Sequence, residues 1–303
     1  MFNFANQFND ALTIFLGIIV QAIPFLLLGV LVSAALAHFV KEEYLLKLIP
    51  KNRFLAVLVA CGLGFLFPVC ECGNVPVARR FIQKGVSPAV ALTFLLSAPA
   101  LNPVVIFATW SAFSHQPEVL WFRILFTFLI ACGVGLLFSF HPHPEKLLVN
   151  KDFFTKETAA CDCFHGKHSS KFFAFFNTVL HEFLEMLSIL AFGAFLASIL
   201  QVIVPRDLLL IIGKGPILSV IVMIAFAFLL SVCANVDAFI ALSYSNLFTV
   251  GSLVAFLTFG PMIDLKSLFL FKTTYTWRTV GFVALLVLLL TLLLCFGLNV
   301  FLY

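Results

Sequence analysis

The chain has 303 residues, 62% of them apolar and 11% charged, with a net charge of +4. Soluble globular domains carry roughly half apolar and a quarter charged residues, so this composition excludes an ordinary soluble domain, and no basic stripe points to a nucleic-acid partner. The apolar residues, 39 phenylalanines among them, fall in runs of roughly 20, the length a helix needs to cross a hydrocarbon core.

The first run, Ala11 to Val40, is too long for a signal-peptide core and follows no basic segment, so it reads as the first span. In chain order the runs predict eight spans, at about 11–38, 54–70, 86–113, 120–140, 177–204, 217–244, 250–271 and 279–302. The long polar connection starts at His141 and carries Lys146, Lys151, Lys156, Lys167 and Lys171 with four acidic residues. It divides the chain into a first transmembrane repeat over 1–140, a polar loop over 141–176 and a second transmembrane repeat over 177–303. The expected fold is all-α: a polytopic membrane protein of about eight transmembrane helices in two four-span repeats, with broken helices at the centre.

The repeat is visible in four places. Leu28-Gly29-Val30-Leu31 corresponds to Phe192-Gly193-Ala194-Phe195, and Phe67-Pro68-Val69-Cys70 to Leu230-Ser231-Val232-Cys233. Asn74 corresponds to Asn235, and Ala98-Pro99-Ala100-Leu101-Asn102 to Gly260-Pro261-Met262-Ile263-Asp264. Order is kept and the offset is nearly constant, and internal repeats in a membrane chain are a transporter signature. Full spans throughout would make the halves parallel, whereas a segment that dips in and returns would make them inverted. Lys and Arg in the loops, with Arg123 counted there, divide nine against eight, which leaves orientation open.

The segment Phe67 to Pro76 breaks its helix with Pro68, Gly73 and Pro76. Freed backbone at membrane depth is tolerated only inside protein or along a polar cavity. Cys70, Glu71, Cys72 and Asn74 enter that break, and two thiols on a non-helical turn can face one soft ion or trivalent metalloid. Pro99 and Pro103 break the third span around Asn102. Cys233, Asn235, Asp237 and Asp264 are the answering residues of the second half. A carboxylate inside a span faces a cavity or a partner, so Asp237 and Asp264 are candidates for cation binding or proton relay. Lys266 is read as a snorkelling side chain. Glu185, one turn after His181, joins the candidate lining.

Cys161, Cys163, His165 and His168 crowd into eight residues of the central loop. The set suits zinc or another thiophilic metal ion, with spacing too tight for a zinc finger. Cys61, Cys132 and Cys295 stand alone in apolar runs and read as small buried hydrophobes. No phosphate-binding loop, dinucleotide turn or nucleophile motif is present, so an enzyme is not expected.

Cys70-Glu71-Cys72-Gly73 with Pro76, the Arg79-Arg80 pair and Lys84-Gly85, continued by Ala98 to Pro103, resembles the bacterial predicted-permease family typified by YraQ and YcgR. The organoarsenical efflux permeases belong to the same broad superfamily. The resemblance implies a multi-pass permease of the bacterial cytoplasmic membrane. The expected function is a secondary permease, such as an exporter, for a thiophilic metal ion or metalloid held at helix breaks between the repeats. A membrane thiol-redox protein and a metal-sensing scaffold are the rival expectations. Expected partners are the lipid bilayer, a small ion or metalloid substrate, and a second copy or an accessory membrane protein.

Overall fold

The computed structural model describes residues 4–39, 49–50, 52–66, 70–140, 144–149, 171–203 and 215–302. Among the described residues the fold is helical, without a strand ladder. The helices are α1 (Phe4–Phe39), α2 (Arg53–Leu66), α3 (Glu71–Gln83), α4 (Pro88–Leu101), α5 (Pro103–Ala112) and α6 (Pro117–Ser139). They continue as α7 (Lys171–Ile203), α8 (Pro216–Leu230), α9 (Ala234–Ser243), α10 (Val250–Met262), α11 (Leu265–Lys272) and α12 (Trp277–Leu302).

Six stretches are long and apolar enough to cross a membrane: Phe8–Ala37, Pro88–Ala112, Pro117–Ser139, Phe175–Val202, Val250–Lys272 and Trp277–Phe301. The expected span at about 54–70 holds the shorter α2, with α3 following it, and the one at about 217–244 holds two short helices, α8 and α9. Gly64 lies against Ser97 and Ala98, while Val57 and Thr93 both approach Gly135, so α2 and α4 run side by side in the same direction. α3 ends at Gln83, and four residues separate it from the start of α4 at Pro88. It has therefore returned to the level at which α2 entered. The second half does the same. Ser219 and Ser252 share a hydrogen bond of 2.7 Å and Gly260 packs on Ala227, so α8 and α10 are parallel, with α9 returning between them.

The reversals follow from local chemistry. α3 carries Glu71, Asn74, Arg79 and Arg80 in 13 residues, a load that lipid would not accept, and ten of its residues are buried in protein. Ser231 ends α8 with φ 46° and ψ 42°, a left-handed conformation uncommon outside glycine. Its hydroxyl donates to Phe228 O at 3.0 Å and accepts from Leu265 N at 3.2 Å. Tyr275, after α11, donates its phenol proton to Pro88 O at the start of α4, 2.9 Å away. The packed α4 and α10–α11 segments are therefore antiparallel.

Candidate functional site

Four helices begin at the breaks, and each begins on a residue singled out in the sequence. Cys70 precedes α3 with φ −75° and ψ 174°, and its carbonyl accepts from Gly73 N and Asn74 N, both at 3.1 Å. Cys233 precedes α9 with φ −66° and ψ 140°, and its carbonyl accepts from Val236 N and Asp237 N. Asn102 caps α5, its Oδ1 accepting from Val104 N at 2.9 Å. Asp264 caps α11, its Oδ1 accepting from Ser267 N at 2.6 Å, while Ser267 Oγ accepts from Asp264 N at 2.8 Å. Pro103 suits the first turn of α5, where a missing N–H costs nothing. Pro76 and Pro99 lie inside their helices. Each leaves a carbonyl one turn earlier without its donor, that of Cys72 and that of Leu95.

The tertiary fold brings two of these starts together, those of α3 and α9. One ligand atom each from Cys70, Glu71 and Cys233 lies within 4.8 Å of the others, and all three residues are buried. Cys72, two residues after Cys70 in the first turn of α3, is also buried. The N-termini of α3 and α9 thus meet at a cluster of soft and anionic ligands, which the positive end of a helix dipole favours.

Lys266 completes the cluster. It does not snorkel: it is 3% exposed, with Nζ 3.5 Å from Glu71 Oε1 and 3.3 Å from Asp264 Oδ2. An isolated ammonium here would be costly, and two carboxylates offset that cost. Glu71 Oε2 is buried without a hydrogen-bond partner among the described residues. Two carboxyl groups and one amino group thus stand beside three thiols.

Other candidates fall elsewhere. Asn74 follows Cys70 by about one turn of α3, and Asn235 is two residues after Cys233, its Oδ1 buried without a partner among the described residues. Asn102 and Pro99 sit at the α4–α5 break, where Asn102 acts as a helix cap. Asp237 is engaged by Arg123 of α6, with Nη1–Oδ1 at 3.1 Å and Nη2–Oδ2 at 2.7 Å, and Arg123 also donates to Thr109 Oγ1 at 2.7 Å. Glu185 pairs with Arg79 Nη1 at 3.0 Å, and Glu182 pairs with Arg80. Arg79 also donates to Thr273 O at 3.1 Å and Thr274 Oγ1 at 3.3 Å. Eight residues of α3 separate Glu71 from Arg79, about 12 Å at helical rise, so Glu185 acts at the far end of that helix. The cluster Cys161, Cys163, His165 and His168 lies outside the described residues.

Sequence reasoning missed Arg79, Arg123 and Lys266. Arg123 was counted in a loop, yet it is 1% exposed inside a membrane-length helix. The available signal was an arginine and an aspartate in different apolar runs, since charges at membrane depth pair with one another.

A family model described as predicted permease, ArsP_1, matches residues 7–300. The protein named UPF0718 protein YcgR of Bacillus subtilis is 37% identical over 287 residues, covering 93% of this chain and 96% of that one. A Streptococcus mutans protein, provisionally described as a two-component membrane permease complex subunit, is 35% identical over 287 residues, covering 92% and 93%. The UPF0718 protein MJ0584 of Methanocaldococcus jannaschii is 27% identical over 132 residues, covering 42% and 36%. No solved structure matches.

Proposed function

The chain belongs to the ArsP_1 family of predicted permeases, and from that premise we propose that it moves a thiophilic metal ion or metalloid across the cell membrane as a secondary permease. The observation that carries the reading is the buried convergence of Cys70, Glu71 and Cys233 within 4.8 Å. Thiolates select soft ions, and the carboxylate excess beside them favours a cation over an anion. The substrate would bind between Cys70, Cys72 and Cys233, with Glu71 Oε2 as the hard ligand and Lys266 holding Glu71 and Asp264 in place.

We read the two halves as inverted repeats, each with three crossings and one re-entrant pair, α2–α3 and α8–α9. Inverted repeats with discontinuous helices place substrate sites at their interface near the midplane. Two inter-half ties fit an alternating-access cycle. Arg79–Glu185 and Arg80–Glu182 join the outer end of α3 to α7, and Arg123–Asp237 joins α6 to α9. The Streptococcus mutans relative's description as a complex subunit supports an accessory membrane protein as partner.

The test is a sensitivity and uptake panel with zinc, cadmium and arsenite on cells with and without the chain. It is followed by Cys70→Ser with Cys72→Ser. The double variant is expected to insert normally and to lose flux. Normal flux in it would sink the role given to the thiols, and thiols that cycle between oxidised and reduced forms during growth, without metal flux, would favour a redox protein.

A further inference from the structure

Cys61 on α2 and Cys132 on α6, 71 positions apart, place their sulfurs 3.2 Å from each other. Both are free thiols, Cys61 buried and Cys132 half-buried. They lie in the packed contact between α2 and α6, apart from the Cys70 cluster. In the sequence they are two isolated cysteines in different apolar runs, and only the fold makes them a pair.

A disulfide needs sulfurs about 2.05 Å apart. Closing this pair takes a shift of roughly 1 Å, within the reach of two side-chain rotations that leave the helices in place. α2 is also the helix that leads to the Cys70 turn. Its Gly64 approaches α4 so closely that a Cβ there would lie 2.8 Å from Ser97 Oγ and 2.9 Å from Ala98 N. A bond from Cys61 to Cys132 would add a covalent hold on the α6 side of a helix already pressed against α4.

We propose that Cys61 and Cys132 form a reversible modification site, a dithiol oxidised by a small organic disulfide, whose bond tethers α2 to α6. Cys132 is the more accessible sulfur and reacts first. Its thiolate attacks the reagent RSSR, forms a Cys132–SR mixed disulfide and expels RS⁻. That RS⁻ takes the Cys61 proton. The Cys61 thiolate then attacks the Cys132 sulfur and expels a second RS⁻, which takes up the proton Cys132 gave up at the start. Two protein thiols are oxidised and one reagent disulfide is reduced to two thiols. A dithiol reductant reverses the exchange.

The experiment treats the full chain in membranes with 4,4′-dithiodipyridine, a small apolar disulfide, quenches with an alkylating agent and maps peptides without reduction. A linked peptide joining the Cys61 and Cys132 segments is expected, lost on reduction and absent in both Cys132→Ser and Cys61→Ala. Amide hydrogen exchange in residues 53–66 is expected to slow several-fold on oxidation, and to be unaffected by the reagent in Cys132→Ser. Alkylated Cys61 and Cys132 after treatment, or linkage of either to another cysteine, overturns the site. A linked peptide with unchanged exchange overturns the tether. The readouts are mass and exchange, so they stand or fall apart from the transport reading.

Discussion

Arg123 and Asp237 come from opposite halves of the chain and form a two-armed ion pair, with the closer contact 2.7 Å and both side chains at most 5% exposed. Thr109 accepts from the same guanidinium. Parallel contacts of this kind suit arginine and not lysine. Removing one member leaves a buried charge unpaired. Arg123→Leu and Asp237→Leu are each expected to destabilise the protein by about 3–5 kcal/mol, and the double variant by less than either single change. Unfolding in detergent, analysed as a double-mutant cycle, measures the coupling. Additive losses would show that the pair contributes no coupling.

Cys233 should matter as much as the cysteines of the first half. Cys233→Ser keeps the size of the side chain and removes the soft ligand. Cadmium affinity is expected to fall at least about tenfold, or about 1.4 kcal/mol, with thermal stability little changed. Equilibrium binding to the purified protein reads this directly. Unchanged affinity would place the metal away from the α3–α9 junction.

Lys266→Met removes the ammonium between Glu71 and Asp264. Two buried carboxylates then face each other without a counter-charge, and a several-kcal/mol loss of stability is expected. Divalent cations should restore part of it, since a ligand that binds only the folded state stabilises by mass action. The shift in unfolding temperature with added zinc is expected to exceed that of the native chain. An equal or smaller shift would remove Lys266 from the site.

Gly29 and Gly73 mark where α1 crosses α3. A Cβ at Gly29 would lie 2.3 Å from Gly73 Cα and 2.5 Å from its carbonyl oxygen, backbone atoms that cannot give way. Gly29→Ala is expected to cost about 1–3 kcal/mol through overpacking and to weaken cadmium binding by displacing Cys72. Gly17 in the same helix has nothing within 4 Å. Gly17→Ala is therefore expected to be neutral or slightly stabilising in the same unfolding assay.

The Arg79–Glu185 tie can be tested by exchange of charge. Arg79→Glu puts like charges together at the outer end of α3, and faster alkylation of Cys70 and Cys72 by a water-soluble maleimide is expected. Adding Glu185→Arg should slow the reaction again. Rates that ignore both changes would show that this ion pair does not guard the cluster.

The amino-acid sequence by itself determined the class of molecule and the positions of the breaks. Those properties are local. Run length reports on a membrane span, and Pro76, Pro99, Gly73 and the capping residues Cys70, Asn102, Cys233 and Asp264 act on their own backbone. The tertiary structure decided what the breaks do. Whether α3 continues α2 or returns beside it depends on contacts with α1 and α4, so the arrangement of the short helices was not legible from apolar runs. Partner choice was equally hidden. Asp237 found Arg123, Glu185 found Arg79, and Lys266 turned inward to Glu71 and Asp264, because at membrane depth a charge is stable only against another charge. Which one it meets depends on helices far apart in sequence. Cys70 and Cys233 were each recognisable as a helix start, but only the tertiary fold brings the starts of α3 and α9 within ligand reach of each other.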